Sequence, residues 1–224
     1  MSTTYASLVR ELRQKRGLSQ SELALKLGLS RASYIAIEQG KRELTLGECE
    51  RLAQILGVSM SDIERGQSPN YEKYRQMILA FLGMNEYVTK TKLAKLLYFA
   101  DFAWYYSHLE SMSGMEYRKI QYGPVADAYF RLIDEMADAG EIAIDFKEEG
   151  AMHVSQTATG ARHRLTEITS DEETLMQEIN EKWKGRKTAE IVTYTHKQMP
   201  YMFAEDNEIV SYEIFGQENP DEIF

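Results

Sequence analysis

Leu18-Ser19-Gln20-Ser21-Glu22-Leu23-Ala24-Leu25-Lys26-Leu27-Gly28-Leu29-Ser30-Arg31-Ala32-Ser33-Tyr34-Ile35-Ala36-Ile37-Glu38-Gln39-Gly40 is the stretch on which the reading of this chain turns. Ser19-Gln20-Ser21-Glu22 has the form of a capping box: the Ser19 hydroxyl serves the Glu22 amide while Glu22 reaches back. A helix follows with Leu23, Ala24 and Leu27 inward, and Gly28 breaks it. Ser30 caps a further helix, Arg31 to Gln39, closed by Gly40. Tyr34 and Ile37, three apart, face a core, so Arg31, Ala32, Ile35 and Ala36 face outward. Working outward, Leu8 and Leu12 stripe a preceding helix that Gly17 ends. Thr45-Leu46-Gly47-Glu48 is a second capping box, opening a fourth helix with Cys49, Leu52, Ala53 and Leu56 inward. Gly57-Val58-Ser59 ends that helix and caps a last turn containing Met60 and Ile63.

Two helices of about eight residues, joined by a tight Gly-containing turn and flanked by others, make a helix-turn-helix. The pattern Leu18-Ser19-Gln20, Leu23-Ala24, Leu27-Gly28-Leu29-Ser30, Ile37-Glu38-Gln39-Gly40-Lys41-Arg42, Leu52-Ala53 and Leu56-Gly57-Val58 resembles the XRE/Cro–C1 family of DNA-binding domains over about residues 5–65. The outward face of the third helix then points toward a major groove. Arg31 can take guanine O6 and N7 in bidentate fashion, and the methyls of Ala32 and Ala36 suit thymine methyls. Ser33 and Ile35 complete that strip. The resemblance implies that Gln20 anchors a phosphate; Ser30, Lys41 and Arg42 are further phosphate candidates. The family usually has polar residues where this chain has Ile35 and Ala36, which points to shape readout or modest specificity, or to a protein contact for Ile35. Such motifs work in pairs on half-sites one helical turn apart, so a homodimer on a palindromic operator is expected.

The charge distribution supports a basic module. Residues 1–44 hold eight Lys or Arg (Arg10, Arg13, Lys15, Arg16, Lys26, Arg31, Lys41, Arg42) and four acids, although the whole chain is at -9. The remainder therefore carries -13, an acidic body beside a +4 segment. With 43% hydrophobic residues and only 4 Pro, the chain has apolar material for a packed core, which argues against disorder. No apolar run approaches the roughly 20 residues that span a bilayer. Met1-Ser2-Thr3-Thr4-Tyr5 lacks the pattern of a signal peptide, and Cys49 is the single cysteine, so no internal disulfide or Cys-cluster metal site is expected and a reducing cytoplasm is the expected setting.

Gly66-Gln67-Ser68-Pro69-Asn70 is a short polar break. It divides the chain into residues 1–66, a linker at 67–70 and a second domain at 71–224. That domain opens with a helix from Tyr71 carrying Met77, Ile78, Phe81 and Leu82 inward, then a longer helix from Thr89 to about Ser107 whose two adjacent apolar stripes mark burial on most sides. Asp101 lies amid that surface and must be hydrogen-bonded or paired if inward. Tyr117 to Tyr122 reads as extended. Pro124 reads as the first position of a helix carrying Tyr129, Leu132, Ile133 and Met136 up to Gly140. Glu141–Phe146 and Met152–Ser155 flank Glu148-Glu149-Gly150 as a β-hairpin. Helices over about Asp171–Trp183 and Thr188–Thr195 and a strand near Ile209–Ile214 complete it. The fold expected is mainly α, α+β overall: a five-helix N-terminal domain, then a mostly helical one with a small antiparallel hairpin or sheet.

Lys95-Leu96-Leu97-Tyr98-Phe99-Ala100-Asp101, then Gly114 and Tyr117, then Tyr122-Gly123-Pro124-Val125, then Thr195-His196, resembles the Panacea domain of SocA-like antitoxins over about residues 71–215. Tyr201 stands where that family places a tryptophan. The resemblance implies neutralisation of a cognate protein toxin by direct binding, and a fused helix-turn-helix implies repression of the protein's own operon. Tyr98, Asp101, Tyr105, Tyr117, Tyr122 and His196 are the candidates for toxin contact. Tyr and Trp anchor interfaces, but periodicity places Trp104 and Tyr106 in the core and leaves Tyr98 and Tyr105 exposed. An acidic body could complement a basic toxin cleft or simply keep the protein soluble.

His108, His153, His163 and His196 form no HExxH pattern. Ala139-Gly140, the dipeptide at which phage-type repressors cleave themselves, reads better here as a helix end. No phosphate loop, carboxylate pair or nucleophile–base arrangement stands out, so neither an enzyme nor a cofactor is expected. The expectation is an antitoxin that also represses its own operon; the alternative is a repressor whose second domain senses a small molecule.

Overall fold

The computed structural model of this 224-residue chain describes residues 5–56, 58, 60–66, 69–147 and 150–224. Gly57 and Ser59, the linker residues Gln67 and Ser68, the hairpin residues Glu148 and Glu149, and Met1 to Thr4 lie outside the described residues. The chain forms two compact units, Met1–Pro69 and Asn70–Phe224.

The first unit is helical: α1 (Tyr5–Lys15), α2 (Gln20–Leu27), α3 (Arg31–Glu38), α4 (Leu46–Leu56) and α5 (Met60–Arg65). The local chemistry of the sequence sets these ends. Ser19 accepts from the Glu22 amide and Glu22 from the Ser19 amide, a complete capping box, and Gly28 follows α2 at φ 73°. Ser30 caps α3 through the Ser33 amide. Thr45 and Glu48 serve each other's amides at the start of α4. Leu8, Leu12, Leu23, Ala24, Leu27, Tyr34, Ile37, Cys49, Leu52, Ala53, Leu56 and Ile63 are all buried, each large aliphatic contributing about 1.5–3 kcal/mol.

The second unit is mainly helical with two small antiparallel sheets. It runs α6 (Tyr71–Gly83), β1 (Val88–Thr89), α7 (Lys90–His108), β2 (Tyr117–Ile120), β3 (Gly123–Ala126), α8 (Tyr129–Asp138), β4 (Ile142–Phe146), β5 (Met152–Gln156), α9 (Ser170–Trp183), α10 (Thr188–Thr195), α11 (Met199–Phe203) and α12 (Tyr212–Phe215). Asn70 caps α6 through the Lys73 amide. Helix α7 is the axis of the unit: every residue from Leu93 to Ala103 is buried, as expected of a helix apolar all round. Strand β5 lies between β1 and β4, with Val88 and Ile144 both opposite Val154. Among the described residues no helix is long and apolar enough to cross a membrane.

Three expectations are corrected. Pro124 does not start a helix: Gly123–Ala126 is a strand pairing with β2, Lys119 opposite Pro124 and Ile120 opposite Gly123. Gly123 at φ 91° closes the turn, and Pro, lacking an N–H, is tolerated on an edge strand. The segment Ile209–Ile214 is not a strand. Ile209 makes an isolated bridge to Arg118, after which Ser211 caps α12 by accepting from Glu213 and Ile214. The third concerns exposure. Tyr98 is fully buried, packed 4.3 Å from Phe102 and 5.5 Å from Tyr117 between ring centroids; Tyr105 is half-buried.

Candidate nucleic-acid interface and partner-facing residues

In the first unit a buried carboxylate fixes the helix-turn-helix. Glu38, at the end of α3, accepts from Arg13 Nε of α1 at 2.6 Å, from Gln20 Nε2 of α2 at 2.9 Å and from the Tyr34 hydroxyl at 2.7 Å. Burial pushes the Glu38 carboxyl up, but hydrogen bonds from Arg13, Gln20 and Tyr34 outweigh it and hold the group below its ordinary value. Three helices therefore meet on one anion. Charge-assisted bonds of this kind are about twice as strong as neutral ones.

That node orients the strip expected to read DNA. Arg31 and Ala32 are exposed; Ser33, Ile35 and Ala36 are half-buried beside them. Gln20, pinned by Glu38 through its nitrogen, turns its Oε1 to Arg31 Nη2 at 3.4 Å. Ser30 is exposed with its hydroxyl 2.9 Å from that of Ser33. Lys41 is exposed. Arg42 is different: its guanidinium is bidentate on Glu48, at 3.1 and 2.8 Å. The Arg42 hydrogen bonds and those of Thr45 hold the Glu48 carboxyl down at about 2 against the effect of burial. Arg42 thus secures the loop onto the α4 cap, which leaves Lys41 as the freer cation.

In the second unit most of the residues that carry the Panacea resemblance, Lys95 to Asp101, Tyr117 and Gly123 to Val125 among them, are buried. Asp101 is wholly buried. It accepts from Ser111 Oγ at 3.0 Å, the Ser113 amide and hydroxyl at 2.6 Å each, and the Tyr117 hydroxyl at 2.7 Å. Burial raises its carboxyl above the ordinary value, against hydrogen bonds that favour the anion. Lys95, Gly123, Pro124 and Thr195 form a second gathering. Lys95 Nζ donates to the Pro124 carbonyl at 2.7 Å, and burial pushes its ammonium down to about 7. A Cβ on Gly123 would lie 2.6 Å from Thr195 Oγ1 and 2.9 Å from Lys95 Cε. The sequence signal for Lys95 is a lysine inside the apolar run Leu93-Ala94-Lys95-Leu96-Leu97, whereas nothing local marks Thr195 for this contact.

This placement corrects three of the six expected partner contacts: Tyr98, Asp101 and Tyr117 are fully buried and hold the unit together. Tyr122 is 58% exposed at the tip of the β2–β3 hairpin. Tyr105 is half-buried with its ring 5.2 Å from Tyr212. His196 is half-buried and stacks on Tyr201, centroids 4.4 Å apart and planes 5° off parallel. The Tyr201 hydroxyl reaches the Ile120 carbonyl at 3.1 Å. Tyr201 thus packs a stacked ring between His196 and the end of β2.

The Gly123 geometry yields a test. Gly123→Ala combines a left-handed backbone with a clash against two buried side chains, a cost of roughly 2 kcal/mol. Thermal denaturation is expected to show the second unit melting roughly 4–8 °C lower; an unchanged transition would show that the close approach is not tight. Among the described residues no group of three His, Cys, Asp or Glu side chains is gathered as a metal site requires.

Comparison with known proteins agrees with this geometry. A helix-turn-helix family model matches residues 9–63 and a model described as the antitoxin SocA-like Panacea domain matches residues 93–201. The cryptic phage CTXphi transcriptional repressor RstR of Vibrio cholerae is 30% identical over 83 residues, 37% of this chain and 75% of the relative. An HTH-type transcriptional regulator of Methanothermobacter thermautotrophicus is 41% identical over 51 residues, 23% of this chain and 74% of its own. Control protein C.MunI of a Mycoplasma species is 33% identical over 60 residues, 26% of this chain and 81% of that protein. No solved structure matches. A capped pair of helices with an exposed Arg31 strip, joined in one chain to the Lys95–Asp101 and Tyr122–Val125 elements, therefore makes this chain a member of the helix-turn-helix transcriptional regulators that carries a SocA-like Panacea domain.

Proposed function

We propose that the chain represses its own operon by binding a palindromic operator as a homodimer through α2 and α3, and neutralises a cognate protein toxin by direct contact through its second unit. The observation that carries the DNA half is the Arg31 strip: an exposed guanidinium at the start of α3, held beside Gln20 by a carboxylate that also anchors α1. Arg31 reads a guanine edge, Ala32 and Ala36 meet thymine methyls, and Ser33 and Ile35 shape the contact. Gln20, Ser30 and Lys41 hold phosphates. The relatives named as a repressor, a regulator and a control protein support this reading.

The toxin half is supported by the Panacea match and by the side chains the second unit leaves at its surface. Contact with the toxin falls on Tyr122, Tyr105 and His196 and their neighbours, the expected partner residues that are not wholly buried. The experiment is co-expression of residues 70–224 with the adjacent gene, scored for growth and co-purification. Rescue of growth to the level given by the full chain is expected. A folded fragment that neither rescues nor co-purifies would overturn the division of labour.

A further inference from the structure

A cavity of about 300 Å³ opens in the second unit between the start of α7, the β2–β3 hairpin, α8 and the start of α10. That is the lower end of the range of small-molecule pockets. Ala94, Ile120, Val125, Tyr129 and Phe130 make an apolar wall, with Met152 at the rim. Its polar side chains are lysines and hydroxyls, the phenol of Tyr122 among them. Lys90 and Lys95 line it, and so do Thr89 and Thr91 at the N-terminus of the 19-residue α7 and Thr188 at the N-terminus of the eight-residue α10. The Thr89 and Thr188 hydroxyls are 2.7 Å apart, so two helix starts converge there. The Thr89 hydroxyl caps the Lys92 amide and Glu190, in the first turn of α10, accepts from the Lys187 amide, while the two helix dipoles direct their positive ends to this meeting point.

Among the described residues the charged ones in the lining are Lys90 and Lys95, with Gly150, Ala151 and Met152 closing another side. Lys90 Nζ has an outward partner, Asp134 at 3.5 Å, whose carboxylate is 69% exposed. Lys95 is wholly buried, and its partner among the described residues is the neutral Pro124 carbonyl. A buried ammonium with one neutral acceptor is costly, and an anion in the cavity supplies the missing countercharge. Burial lowers the Lys95 ammonium to about 7, and an anion beside it would favour the protonated form.

We propose that this cavity is a binding site for a small amphipathic carboxylate, its apolar body against Ile120, Val125 and Phe130 and its head toward Lys95 and the paired helix starts. Tyr122 lines the cavity and is also an expected toxin contact, but the two readings are tested apart: growth rescue tests one, ligand titration the other. The experiment uses the full chain with octanoate and with 1-octanol as the uncharged counterpart, followed by isothermal titration calorimetry. Octanoate is expected to saturate one site per chain and to bind at least about tenfold more tightly than octanol. Lys95→Met is expected to erase that preference while octanol binding persists. Met152→Glu, on the rim where the side chain is 38% exposed, is expected to weaken octanoate more than octanol, and it keeps the test informative if Lys95→Met does not fold. No saturable octanoate binding, equal affinity for acid and alcohol, or a Met152→Glu variant that binds both as the wild type does would each overturn the proposal.

Discussion

Arg31→Ala is expected to weaken operator binding by roughly ten- to hundredfold, the range of one lost bidentate contact to guanine. The side chain is exposed, and its hydrogen bond within the protein is the long one to Gln20 at 3.4 Å. The fold should therefore lose no more than about 0.5 kcal/mol. Fluorescence anisotropy of the promoter fragment at one fixed salt concentration measures the effect, since affinities at different salt are not comparable. Toxin neutralisation by the same variant is expected to be unchanged. An Arg31→Ala chain that binds the promoter like the wild type would remove Arg31 from the reading face, and one that lost both activities would show that the units are not separable.

The second large effect concerns stability. Asp101→Ala removes the acceptor of four hydrogen bonds from Ser111, Ser113 and Tyr117, in a place with no solvent exposure. Stranding buried donors in this way costs on the order of 3–5 kcal/mol, a large part of the roughly 5–15 kcal/mol that a domain has in total. The second unit is expected to melt early and to be digested first in limited proteolysis, with toxin neutralisation lost as a consequence. The opposite pattern, wild-type melting with neutralisation gone, would show that Asp101 serves partner binding rather than the stability of the unit.

The contrast between Asp101 and Ser19 explains how far the sequence could be read. Ser19 and Glu22 satisfy each other within one turn, as do Thr45 and Glu48, so the helix starts of the first unit and most of its core were legible from local pattern. Asp101 was recognisable as a buried acid, but its donors lie 10 to 16 residues along the chain, and no periodicity announces them. Pro124 fails for a similar reason: it resembles a helix start locally, and its strand pairing with Lys119 exists only once the hairpin closes. Strand β1, two residues long, is too short to show alternation, and the five-residue α11 too short for a helical stripe. Tyr98 was misplaced because a helix buried on every side has no exposed face for periodicity to find. The exposure of Arg31 and Ala32 was legible, whereas the ties of Gln20 and Arg42 to acids at Glu38 and Glu48 were not.

The Glu38 anchor has a consequence for how such a regulator diversifies. Arg13, Gln20 and Tyr34 all converge on it, so substitutions at those positions are expected to strike the scaffold itself. Residues 31, 32, 35 and 36 bear little of the structural burden, and replacements there cost the fold little. If the proposed reading face is right, a chain retargeted by single substitutions on that narrow ledge is expected to keep its fold.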